Sequence, residues 1–258
     1  MSVVILSPHF DDAVLSCWHV LTQPAEVEVI NVFAGVPVGL DRPAWWDLQT
    51  GATDSGRRVR ERVEEDRRAL ALAGRRAISL DLLDEQYRTA EQPLAPVLAR
   101  LGELLAPDTR IYAPGAFSDH PDHALVRCAA LQLRAAGFDV ALYADLPHAN
   151  AHGWPAWVTG QPVPVTRDLA AATWERWLTR VGVPPEELMP TVHVLAPAEH
   201  ARKLEAVSAY RTQVDGLAEF LGRPLADPVA LGYEVVWTLP GVPTAARAPA
   251  GSPAASSR

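Results

Sequence analysis

His9, Asp11 and Asp12 stand close together near the start of the chain, and Asp119, His120, Asp122 and His123 form a second group far downstream. Imidazole and carboxylate are the donors a catalytic zinc ion takes, three from protein with a further position left to water. His9, Asp12 and His123 satisfy that count if the two groups meet in space. Each residue also has a bland use. An acid where a helix begins is a common cap, which suits Asp12 as well as ligation does, and Asp119 and Asp122 precede His123 where capping groups belong. Capping is the expected role of Asp119. His148 and His152 fall in a stretch rich in Pro and Gly and read as solvated loop histidines. Ser7 and Ser16 lack the surroundings of a nucleophile elbow, and no Gly-x-Gly-x-x-Gly follows the first apolar run, which disfavours serine-nucleophile and dinucleotide chemistry.

Strands are needed to bring the two groups together. Val3, Val4, Ile5 and Leu6 read as a buried strand that Ser7 and Pro8 stop, and residues 110–114 read as another just ahead of the second group. Loops at the carboxyl ends of strands line the ligand crevice of open α/β sheets. Further strands are expected over 26–33, 77–83, 138–143, 190–196 and 233–239. Helices are expected from near Asp12, over 57–73, 94–105, 170–181 and 198–210, and after the second group. This alternation predicts an α/β fold, a Rossmann-like, doubly wound, mostly parallel sheet with helices on both faces.

A single domain is expected over 1–240, with a flexible Pro/Ala/Ser-rich tail over 241–258 whose composition cannot bury enough apolar surface to fold. In the 57–73 helix, Val59, Val63, Leu70 and Ala73 are expected to face inward, with Gly74 as terminator and the interleaved Arg, Glu and Asp residues forming a solvated face. Loops at 36–55, carrying Trp45 and Trp46, and at 145–167 leave the same sheet edge and are candidate pocket walls. The paired indoles suit a sugar ring or acyl chain, and suit equally well the clamping of the loop to the body.

The formal net charge of -8, without a basic run, makes nucleic acid a poor partner. Cys17 and Cys128 are too few for a disulfide framework and read as small buried hydrophobes in a reducing compartment. Met1 and Ser2 lead into a strand without a signal-like segment, and no stretch approaches a membrane span, so a cytoplasmic protein is expected. Nothing in the composition specifies an oligomeric state.

Pro8-His9-Phe10-Asp11-Asp12-Ala13 and His120-Pro121-Asp122-His123 resemble the two motifs of the PIG-L/LmbE-like family of zinc-dependent N-deacetylases, Ala-His-Pro-Asp-Asp-Glu and His-x-Asp-His. Arg62, Glu65, Ala69 and Gly74 resemble its intervening Arg-x-x-Glu helix, and Lys203, Ala206, Tyr210 and Gln213 its C-terminal Lys-x-x-Ala helix and Gln. The match runs in order over 3–213. The resemblance implies an LmbE-like fold with Zn2+ on His9, Asp12 and His123, although the same donors suit other divalent ions. It implies Asp11 as general base and His120 as the group assisting the oxyanion and the leaving amine, written as an imidazolium beside Asp122, with Asp122 as an orienting group. By the same resemblance Arg62 contacts substrate.

The activity implied is hydrolysis of an N-acetyl or N-acyl group on an amino sugar or glycosylated small molecule. The Ala-, Arg- and Pro-rich composition adds a place in bacterial secondary metabolism. Phe10 in place of Pro and Ala13 in place of Glu depart from the motif. An amidase acting on a thiol conjugate with the same zinc, and a binding protein that lost its chemistry at Ala13, are the alternatives.

Overall fold

The computed structural model describes residues 2–162 and 168–240; the 241–258 tail and the 163–167 part of the second loop lie outside the described residues. In chain order the elements are β1 (Val3–Ser7), α1 (Asp12–Ser16), α2 (Trp18–Leu21), β2 (Val27–Asn31), α3 (Trp45–Gln49), α4 (Ser55–Leu72), β3 (Ala77–Ser79), α5 (Leu94–Leu104) and β4 (Arg110–Pro114). There follow α6 (Pro121–Ala135), β5 (Asp139–Tyr143), α7 (Ala156–Thr159), α8 (Leu169–Leu178), β6 (Met189–Val194), α9 (Pro197–Val207), α10 (Val214–Leu221), α11 (Pro228–Leu231) and β7 (Tyr233–Thr238).

The strands form one sheet in the order β3-β2-β1-β4-β5-β7-β6. β1 to β5 are parallel, and β7 pairs antiparallel with both β5 and β6. β1 is buried along its whole length, as a strand covered on both faces must be. From β1 the chain steps through β2 to β3 in one direction, then returns past β1 to β4 and continues to β5 in the other. Right-handed crossovers therefore put α1 and α4 on one face and α5 and α6 on the other. The reversal falls between β1 and β4. It opens a crevice at the carboxyl ends of those two strands, from which both motif loops leave.

Several expectations change. The antiparallel pairing of β6 and β7 leaves no local periodicity, because three helices separate the two strands. The 36–55 loop contains α3, and α10 follows the last helix expected. Val63 is exposed, whereas Arg58, Arg62, Glu65 and Asp66 of α4 are buried beside Val59, Ala69 and Leu70. The face of α4 read as solvated is thus partly its inner one, and its charges are tolerated there because each finds a polar partner. α4 ends as expected, with Gly74 at φ 68°. Cys17 is buried, but Cys128 is exposed, facing away from the sheet on α6.

Candidate metal centre

β1 delivers Ser7 to the crevice, and its hydroxyl fastens the loop at both ends, donating to His9 O at 2.6 Å and accepting from Ala13 N at 3.0 Å. Ala13 is fully buried under this clasp, so the small residue in place of Glu belongs to the packing of the loop. Within the loop, the His9 backbone N–H donates to Asp12 Oδ2 at 2.8 Å, and His9 Nδ1 lies 3.4 Å from the same oxygen. β4 delivers the second loop. There His120, not Asp119, caps α6, its Nδ1 accepting from Asp122 N at 3.3 Å, while Pro121 takes the first helical turn, where no N–H is needed. Asp119 is solvated and pairs with Arg180 at 3.0 Å.

The loops meet at Asp12. His123 Nε2 stands 3.5 Å from Asp12 Oδ2, and donor atoms of His9, Asp12 and His123 all lie within 4.8 Å of one another. His9, His120 and Asp122 form a second such triangle. The two differ in charge. Asp122 is already neutralised by Arg88 at 2.6 Å and accepts from Glu85 N at 2.9 Å, whereas the Asp12 carboxylate has imidazoles and a backbone amide as its partners. The triangle of His9, Asp12 and His123 is the donor set that fits a divalent cation.

Both imidazoles are aimed from behind. His123 Nδ1 donates to Asp145 Oδ2 at 2.8 Å, leaving Nε2 toward Asp12, and Asp145 is itself fixed by Phe117 N at 2.9 Å. His9 Nε2 lies 3.3 Å from Asp122 Oδ2, leaving Nδ1 toward Asp12. A carboxylate behind each histidine sets its tautomer and raises its basicity, the usual support of a metal-binding imidazole. Asp122 therefore stands behind His9 and beside the crevice, and it makes no side-chain pair with His120.

The electrostatics agree with this division. Burial by itself raises Asp12, but His123 and His9 outweigh it and hold the carboxyl below its ordinary range. Burial lowers His9 and His123, and the surrounding acids reverse that, Asp84 and Asp12 for the first, Asp12 and Asp145 for the second. The field that retains protons on both rings is the field a cation would replace them in. Burial and the neighbouring Asp12 push Asp11 up to about 6. Burial, with His9 and His123 beside it, depresses His120 to about 2, which favours the neutral ring, and with Nδ1 accepting from Asp122 N the Nε2 position is left to donate.

His9, Asp11, Asp12, His120 and His123 open into one pocket with an aromatic wall that includes Phe33, Trp45, Trp46, Tyr87 and Phe220. The paired indoles are placed differently. Trp45 is exposed at the pocket, while Trp46 clamps α3 to the body, donating from Nε1 to Gln213 at 2.8 Å. It packs so closely on Gly216 that a Cβ there would sit 3.0 Å from the indole. His148, expected to be solvated, also lines the pocket with its ring 5.1 Å from His123, and burial brings it down to about 4. Arg62 reaches the wall, but its guanidinium is held by Asp47 at 2.7 Å and the Tyr87 hydroxyl at 3.3 Å. Asp145, Asp47 and Arg88 carry no motif. The one signal in the sequence is that Asp145 follows a strand, as the other acids of the site do.

A family model described as PIG-L, GlcNAc-PI de-N-acetylase, matches residues 4–134. Among solved structures, the A40926 pseudoaglycone deacetylase Dbv21 is 26% identical, with 93% of this chain and 97% of that chain covered and a TM-score of 0.67. The teicoplanin deacetylase Orf2, in a zinc-inhibited form, is 21% identical over 95% of this chain and 100% of that one, TM-score 0.67, a likeness of fold. No curated protein matches the sequence. With its two histidine- and aspartate-bearing loops brought together at one sheet edge, and with a family model matching about half its length, the chain belongs to the PIG-L family of de-N-acetylases.

Proposed function

We propose that the protein is a zinc-dependent N-deacetylase that hydrolyses the N-acetyl or N-acyl group of an amino sugar on a glycosylated small molecule. The observation that carries this reading is the convergence of His9, Asp12 and His123 on one point with the unpaired acid Asp11 beside them, at the floor of a pocket walled by aromatic rings. Membership of the family supports the deacylation, and the likeness to a pseudoaglycone deacetylase supports a glycosylated substrate.

His9, Asp12 and His123 would hold the ion. Those residues would give the ion a place from which it would supply an acidified water and polarisation of the amide carbonyl, the chemistry of metal-dependent hydrolases. Asp11, poised near 6, accepts the proton of the attacking water and returns it to the departing amine. His120 donates from Nε2–H to the oxygen on which negative charge develops, a role a neutral imidazole can fill. Asp122 and Asp145 hold the two ligand rings, and Arg62 holds α3 through Asp47 rather than gripping substrate. The aromatic wall receives the sugar or the group attached to it.

The catalytic body is read as one domain over 1–240. The two free cysteines support a cytoplasmic location. No helix among the described residues is long and apolar enough to cross a membrane.

The test is a panel of N-acyl amino-sugar glycosides and thiol-conjugated amides offered to zinc-loaded protein, with acid release and new amine both measured. Acetate from the glycosides is expected. Asp11→Asn should lower kcat by at least about 100-fold while retaining one zinc per chain. Full activity in that variant would remove Asp11 from the role of base, and hydrolysis of the thiol conjugates alone would move the protein to the amidase reading.

A further inference from the structure

Behind the crevice, and absent from its lining, Asp66 of α4 lies buried with its Oδ2 2.7 Å from Asn31 Nδ2 and its Oδ1 2.8 Å from the Tyr210 hydroxyl. The same hydroxyl is 3.1 Å from the backbone carbonyl of Phe10. A tyrosine hydroxyl has one hydrogen, and a carbonyl can only accept. If Asp66 were ionised, Tyr210 would face two acceptors with one hydrogen between them, and the Phe10 carbonyl would lose its share. Both contacts are satisfied together only when the second hydrogen comes from Asp66.

The Phe10 carbonyl belongs to the peptide that enters Asp11. The orientation of that peptide, held through its carbonyl by Tyr210, bears on where the base points. Resting on the function proposed above, we propose that Asp66 is a positioning residue held as the neutral acid: it donates to Tyr210, and Tyr210 thereby delivers its hydrogen to the Phe10 carbonyl and fixes the peptide that carries Asp11.

The surroundings of Asp66 favour the neutral form. Burial pushes it up to about 7 against the hydrogen bonds that Tyr210 and Asn31 would give the ionised form, and the charge that acts on it is the like charge of Asp11. The Asn31 amide presents its N–H to Oδ2, which leaves Oδ1 as the oxygen that carries the hydrogen. Asp66→Asn preserves this pattern, since an amide can accept from Asn31 and donate to Tyr210. Asp66→Leu and Tyr210→Phe abolish it.

The experiment uses zinc-loaded full-length protein and two readouts. Kinetics on the best N-acyl glycoside should give Asp66→Asn a kcat within about twofold of the parent. Asp66→Leu and Tyr210→Phe should fall by about tenfold or more in kcat, with KM changed less than about threefold and zinc still one per chain. Infrared spectra near pH 6 should contain a band from a protonated buried carboxyl that disappears in Asp66→Asn. This band is independent of any substrate, so it is read even if no glycoside is hydrolysed and the proposed function fails. The inference is overturned if Asp66→Asn falls as far as Asp66→Leu, if Tyr210→Phe keeps full kcat, if KM and zinc content change in step with kcat, or if the band is missing. Tyr210→Phe decides the kinetic arm should Asp66→Leu fail to fold.

Discussion

Asp145 decides which nitrogen of His123 faces Asp12, and it does so with a single hydrogen bond of 2.8 Å inside a fully buried pocket. Asp145→Asn keeps an acceptor for Phe117 N but offers the imidazole a weaker and less basic partner. Zinc affinity should fall by about 10- to 100-fold, as for other groups that orient metal-bound histidines, measured by competition against a chromophoric chelator. An unchanged affinity would mean that the ring is set by packing alone. At this scale the sequence was legible where chemistry is packed into consecutive residues. His9, Asp11 and Asp12 share a loop, and His120, Asp122 and His123 share a helix start, so spacing alone groups them. Asp145 and Arg88 were not legible because each reaches the site from a separate loop and meets its partner only across the folded crevice.

At the scale of elements, α4 works as a polar latch. Arg58 donates to Thr50, Arg62 to Asp47, Glu65 accepts from Thr212, and Asp66 faces Tyr210 and Asn31, so one helix ties the 36–55 segment, the turn after α9 and the end of β2 together. Its length and its terminating glycine follow from the sequence. Its inner face does not, because charged residues three and four apart on a helix read equally well as surface pairs. Only the partners from three other segments turn them inward. Asp47→Ala would leave Arg62 buried beside Tyr87 without its carboxylate. A loss of about 3–5 kcal/mol in urea unfolding is expected, together with a raised KM as α3 and the Trp45 wall loosen. Stability within about 1 kcal/mol of the parent would show that the guanidinium finds water or another acceptor.

Across the whole molecule, the alternation of strand and helix up to β5 made the mostly parallel sheet legible, because parallel neighbours require crossovers of recognisable length, whereas the place of its switch point came only with the strand order. The far edge was not legible, since β6 and β7 are joined by α9 to α11 and meet through long-range packing. A buried ionic cluster locks that edge to the start of α2: Glu234 of β7 accepts from Lys203 Nζ at 2.6 Å, from the backbone of Trp18 and His19, and from the His19 ring. Burial would raise Glu234, but Lys203 and His19 outweigh it and bring the carboxyl from 4.5 to about 2. A carboxyl depressed in the folded state contributes stability that is complete above its unfolded value and is lost as pH falls through the folded one. The contribution is on the order of 3 kcal/mol, lost between about pH 4.5 and pH 2. The stability advantage of the parent over Glu234→Gln should therefore shrink on acidification through that window, followed by urea unfolding at fixed pH. An advantage constant from pH 7 to pH 3 would assign the effect to packing.

The bond from the His9 amide to the Asp12 carboxylate, inside a loop clasped by Ser7, means that the oxygen nearest both imidazoles is held by the chain's own hydrogen bonds. Unlike small domains that collapse only around their metal, this scaffold should survive dialysis against a chelator with its circular dichroism intact, its melting temperature lowered by the forfeited binding energy alone. Simple readdition of Zn2+ should then restore turnover within the mixing time. A stripped protein that recovers only after denaturation and renaturation would show that the cradle is assembled by its guest.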